Sequence, residues 1–193
     1  MKKHLFATAI LLAAFSLGAS AQLQRGNVLI GGNIAGFDLG LNSGSTFNMT
    51  LTPKVAWFTA TNTALGAYAD LNLATAKNAG TNFNWGLGAL ARYYFPSAEV
   101  NVARSTRFLL EANAGLQGVN TAGGNSTNGL GLGIGPGLAY FFNENISLES
   151  LLKYNGIVGF GSSASSSRLQ LNIGVQIYLP GSRVRSEVNK IRQ

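Results

Sequence analysis

The stretch Arg168-Leu169-Gln170-Leu171-Asn172-Ile173-Gly174-Val175-Gln176-Ile177-Tyr178-Leu179 alternates without a break. Leu169, Leu171, Ile173, Val175, Ile177 and Leu179 fall on one side, against Arg168, Gln170, Asn172, Gly174 and Gln176 on the other. Side chains that change face at every residue belong to an extended strand, whereas a helix repeats its apolar positions every three to four residues. The same period of two recurs upstream. Thr46 to Thr59 sets Phe47, Met49, Leu51, Val55 and Trp57 opposite Asn48, Thr50, Thr52 and Lys54. Phe83 to Phe95 sets Phe83, Trp85, Leu87, Ala89, Ala91, Tyr93 and Phe95 opposite Asn84, Gly86, Gly88 and Arg92. Comparable segments lie near 27–41, 64–73, 107–119, 129–142 and 146–155, which makes eight. Beyond residue 22 no apolar run is long enough for a transmembrane helix.

Working outward, the connections are of two kinds. Ala60-Thr61-Asn62-Thr63 and Asn143-Glu144-Asn145 are short turns, whereas 74–82, 120–128 and 156–167 are longer Gly/Ser/Asn/Thr stretches. Short turns at one end and longer loops at the other mark an up-and-down transmembrane barrel. Two connections break the pattern: Asn42 to Ser45 is short for an outer loop, and Pro96 to Thr106 is long for an inner turn. Ahead of the strands, Met1-Lys2-Lys3-His4 is a basic start, Leu5 to Leu17 an apolar run, and Ala19-Ser20-Ala21 a small-residue cleavage site. These are the parts of a secretory signal peptide. At thirteen residues the apolar run falls short of the ~20 that span a bilayer. The chain therefore divides into a signal peptide (1–21), a barrel (22–179) and a basic periplasmic tail (180–193). In the tail, Val184, Val188 and Ile191 have helical spacing.

Composition excludes several classes. Charged residues are 11% of the 193, against about 25% in ordinary soluble domains, so a water-facing exterior is hard to build. There is no cysteine, and the one histidine, His4, leaves with the signal peptide, which removes disulfides, thiolate metal sites and imidazole catalysis. No carboxylate cluster has calcium-ligand spacing, and neither a cofactor nor a metal is expected. The formal charge of +7 falls to +5 without Lys2 and Lys3, and the tail holds +3 of that. A body carrying +2 offers no basic face for nucleic acid.

Alternation alone does not say which face points outward, and a soluble lipocalin-like barrel alternates too. The polar faces decide the matter, being too lightly charged and too rich in glycine to meet water. Gly129, Gly131, Gly133, Gly135 and Gly137 share one side of a single segment, as a crowded lumen would require. Trp57, Tyr93, Phe95, Phe108, Tyr140 and Phe142 sit on the apolar faces where strands meet the inner turns, forming an aromatic girdle at a membrane interface. A closed, even-numbered sheet also satisfies every backbone group without water. The expected fold is an all-β, eight-stranded antiparallel up-and-down transmembrane barrel. Pro53 and Pro136 each remove a ladder hydrogen bond within a strand, and a local bulge would accommodate them.

The segments Leu51-Thr52-Pro53-Lys54-Val55-Ala56-Trp57-Phe58, Leu90-Ala91-Arg92-Tyr93-Tyr94-Phe95, Gly133-Ile134-Gly135-Pro136-Gly137-Leu138-Ala139-Tyr140-Phe141 and Ile146-Ser147-Leu148-Glu149 resemble the small bacterial outer-membrane barrels of the OmpA/OmpX type. With the barrel layout, the resemblance covers the whole mature chain. It implies an outer-membrane protein that contacts outer-membrane lipid. It also implies that Asn172, Gly174, Ile177 and Leu179 in the last strand form a signal for the barrel insertion machinery.

The ionisable residues within strands mostly share the polar face: Lys54, Asp70, Arg92, Glu111, Glu149, Lys153 and Arg168, with Asp38 a further acid. At eight strands the interior is just wide enough for side chains to fill it, so these charges are expected to pair in a polar network that plugs the lumen. Enzymatic chemistry finds no support. Nucleophilic serine chemistry needs a positioned base, and in the best available pair, Glu149 and Ser150, the two neighbours face opposite ways. The sequence thus describes a small non-enzymatic outer-membrane barrel with a structural or surface-interaction role through its extracellular loops, where an external ligand would be met. Its alternative is a narrow porin or carrier for small, including apolar, molecules.

Overall fold

The structure, a computed structural model, describes residues 23–39, 46–76, 80–96, 105–120, 126–159 and 165–181. The signal peptide, nearly all of the tail and the loop tips between the strands lie outside the described residues. Eight strands follow one another: β1 (Val28–Leu39), β2 (Thr46–Ala60), β3 (Thr63–Ala76), β4 (Gly80–Tyr94), β5 (Thr106–Asn120), β6 (Ser126–Phe141), β7 (Ile146–Gly159) and β8 (Ser165–Leu179). Each pairs antiparallel with its sequence neighbours, and β1 pairs with β8, so the sheet closes into a barrel without an edge. At 12 to 16 residues the strands exceed the ~9–11 that cross a bilayer, and the barrel wall continues past the hydrocarbon.

Closure without an edge lets an apolar exterior exist, because no backbone group depends on water. The outward residues of β8 (Leu169, Leu171, Ile173, Val175 and Ile177) are all exposed, as are Leu65, Leu71, Leu87, Leu116, Leu132 and Ile134 elsewhere around the wall. Inward positions carry Asn33, Thr50, Thr52, Lys54, Asn72, Arg92, Glu111, Asn113, Glu149, Lys153, Asn172 and Gln176, all buried. The molecule is apolar outside and polar inside, the reverse of a soluble domain.

The strands reach further toward the loops than the alternation indicated. β3 and β4 stay paired through Ala74↔Asn82, Thr75↔Thr81 and Ala76↔Gly80, and β7 and β8 through Val158↔Ser165. The two prolines need no bulge. Pro53 remains opposite Gly32 and Pro136 opposite Leu110, and the register on either side of each is unshifted. Each interrupts one ladder only, β2–β3 at Pro53 and β6–β7 at Pro136. Irregularities occur elsewhere: between Ala35 and Asp38, where Gly36 takes a φ of 59°, and between Phe58 and Ala60. The turn after β2 holds Asn62 at a φ of 65°, a conformation in which Asn is one of the few tolerated side chains.

Candidate functional site

The end of the barrel that carries the chain termini is sealed by apolar side chains. Phe58, Tyr94, Phe141 and Tyr178 point inward from β2, β4, β6 and β8 and stack at centroid separations of 5.1 to 6.4 Å. Leu29, Ala56, Ala64, Leu90, Leu109, Ala139 and Leu151 fill the space around them. The N-terminal segment completes the closure. Gly26 donates to the Phe58 carbonyl, Asn62 donates to the Leu23 carbonyl at 2.7 Å, and the Leu23 side chain is 1% exposed within the same cluster.

Above this plug lies an ion-pair network. Arg92 and Glu111 are direct cross-strand partners on β4 and β5, and the Arg92 Nε donates to Glu111 at 2.6 Å. Lys54 on β2 donates to both Glu111 oxygens, at 2.9 and 3.2 Å. Lys153 on β7 reaches the same carboxylate at 3.1 Å. Between β5 and β7 stands β6, whose Gly135 pairs with Glu111. A Cβ at Gly135 would strike the Leu152 carbonyl and stand 2.7 Å from the Lys153 Cα, so the missing side chain clears the space across which Lys153 and Glu111 meet. Gly133 and Gly131 likewise leave room for Asn113, Asn155 and Gln117.

The second carboxylate ties network to plug. Glu149 receives Arg92 at 2.9 Å and the Tyr178 hydroxyl at 3.0 Å, while Tyr94 accepts from the Arg92 guanidinium at 3.0 Å. Two carboxylates and three cations are thus buried together, and ion pairs and hydrogen bonds offset the cost of burying them.

Toward the other end the lining becomes uncharged amide and hydroxyl. Asn72 donates to Asn48 and Thr50, each at 2.9 Å, and Asn84 donates to Asn72. A cavity of about 90 Å³ opens among these groups toward the loop end, with Lys54, Glu111 and Lys153 in its floor. Not every ionisable residue of the polar face joins the network. Asp70 instead accepts a 2.6 Å hydrogen bond from Thr52 near the mouth. Arg168 is exposed and lines the cavity's outer part, well above Glu111, because β8 places it beyond Gln170. Of Asp38 the structure describes only the backbone.

On the outer wall, Trp57, Tyr93, Tyr140 and Phe142 are 40 to 51% exposed near the terminal end, with Phe95 and Phe108 half-buried beside them. Tyr93 packs edge-on against Phe95 and Tyr140 against Phe142. In β8, Asn172 and Gly174 face inward and Ile177 outward. A crevice of about 650 Å³ runs along the wall beside Leu132, Ile134, Tyr154 and Val158. Ser150 is exposed on the wall and Glu149 buried in the lumen, so the two form no catalytic pair. Among the described residues no cluster of three or more His, Cys, Asp or Glu is placed to hold a metal.

The inward aromatics and Leu23 were not singled out from the sequence. A signal was present in the doublets Trp57-Phe58 and Tyr93-Tyr94 and in Tyr140-Phe141-Phe142. Adjacent aromatics on a strand must face opposite ways, so each girdle ring implies an inward one beside it.

No protein-family profile matches the chain, and no curated protein matches it in sequence. Solved structures do match in fold. Neisserial surface protein A aligns with 79% of this chain and 97% of its own, at 18% identity and a TM-score of 0.57. The N-terminal β-barrel domain of OprF from Pseudomonas aeruginosa aligns with 80% of this chain and 98% of its own, at 15% identity and a TM-score of 0.53. The chain has the fold of the small, eight-stranded bacterial outer-membrane barrels.

Proposed function

We propose that this chain is a small non-enzymatic protein of the bacterial outer membrane whose lumen passes no solute and whose structural or surface-interaction role is exercised at the loop end. The observation that carries the reading is the double closure of the lumen, an aromatic plug beneath a buried ion-pair network. The apolar belt and aromatic girdle suit outer-membrane lipid. Signal peptide 1–21 would direct export, and the β8 pattern would be read by the insertion machinery. With both termini in the periplasm, loops 40–45, 77–79, 121–125 and 160–164 would face outward and meet an external ligand. Lacking any histidine after His4, the chain has no usual base for serine chemistry.

Efflux from liposomes tests this reading. Protein shown to be folded by its heat-dependent gel mobility should leave entrapped sugar in place, and release at porin-like rates would favour the narrow-porin alternative. The wall crevice supports a second reading, a carrier for small apolar molecules. In that case an apolar fluorophore should bind saturably and be displaced when Gly156, which borders the crevice, is replaced by Leu.

A further inference from the structure

We propose that the luminal cavity binds one small inorganic anion, of halide size, between Lys54 and Lys153. The first ground is charge. Lys54, Arg92 and Lys153 oppose only Glu111 and Glu149 in the buried network. At the mouth Asp70 and Arg168 cancel, so the described residues of this network and cavity carry an excess of one positive charge, in a space where isolated charge is costly. An anion in the cavity neutralises it.

The second ground is unused donors aimed at one place. An ammonium group offers three N–H donors. Lys153 makes one hydrogen bond, to Glu111, and sits 5.5 Å over the Tyr68 ring, while Lys54 makes two, both to Glu111, so each ammonium keeps an N–H for another acceptor. Both lysines line the cavity, and both are buried. Their nitrogens lie 3.2 and 3.1 Å from the same Glu111 oxygen, close enough together for a single anion to bridge them. Glu111 repels such an anion, but its charge is already drawn off by Arg92 at 2.6 Å.

The third ground is size. A cavity of about 90 Å³ has room for a halide together with water. The surrounding Thr and Asn groups supply hydroxyl and amide donors without adding negative charge.

The probe is chloride, read by its chlorine NMR line width in the presence of the protein folded in detergent. The expected result is a broadening that bromide relieves and that weakens at least ~10-fold when Lys153→Met is added. Broadening that bromide does not relieve overturns the proposal, as does relievable broadening unaltered by Lys153→Met in folded protein. If that variant does not fold, crystals of the unsubstituted protein grown in bromide decide. An anomalous peak between the two lysine nitrogens supports the site, and its absence overturns it.

Discussion

Replacing Glu111 by Gln keeps the shape of the side chain and removes the charge on which three cations converge. Lys54, Arg92 and Lys153 approach it at 2.9, 2.6 and 3.1 Å, and Glu111 is 1% exposed. Three buried positive charges then face Glu149 alone. Removing one partner of a buried pair costs about 3–5 kcal/mol. For a chain of this size each kcal/mol lowers the unfolding midpoint by about 2–4 °C, giving a fall of roughly 6–20 °C. The assay is the midpoint of the heat-dependent gel-mobility shift in detergent. Adding Lys54→Met restores the original excess of one positive charge and should recover about half of the fall, since the two residues share a contact and are not additive. A midpoint for Glu111→Gln within ~2 °C of the parent would refute the reasoning. So would a double variant less stable than the single one by the full cost of Lys54→Met.

Other substitutions probe the remaining parts. Gly135→Ala pushes a methyl into the backbone of β7 and should cost about 1–3 kcal/mol in urea unfolding, whereas Gly156→Ala meets nothing within 4 Å and should be neutral. Ile173→Arg, on the exposed lipid face, should lower folding stability in vesicles by about 2–4 kcal/mol. Leu23→Ala removes a fully buried side chain from the plug and should cost about 2–5 kcal/mol, and mass spectrometry of exported protein should place the mature N-terminus at or before Leu23.

The fold was legible because a membrane barrel writes its pattern twice, in alternation along each strand and in girdle rings at one end. Where both faces turn polar, alternation loses its meaning. Ala74–Ala76 offers only small residues and Thr, and Gly80–Asn82 carries two turn-formers, yet their backbones remain paired, and nothing in the side chains signals this. The charged residues shared a parity that marks them as one face, but parity carries no height. Lys54 and Glu111 are 57 residues apart in sequence, and their meeting depends on the stagger of four strands around the wall. The same stagger lifts Arg168 out of reach of Glu111. The plug escaped for a different reason: Phe58, Tyr94 and Tyr178 occupy polar-face positions, where an aromatic looks like a break in the pattern rather than a floor to the lumen.

The central claim is that this lumen is closed, and single-channel recording across a planar bilayer tests it most directly. Folded, inserted barrels are predicted to be electrically silent at neutral pH, because ions must pass both the Glu111 network and the Phe58–Tyr178 stack. Reproducible conductance steps from the unsubstituted protein would contradict the account.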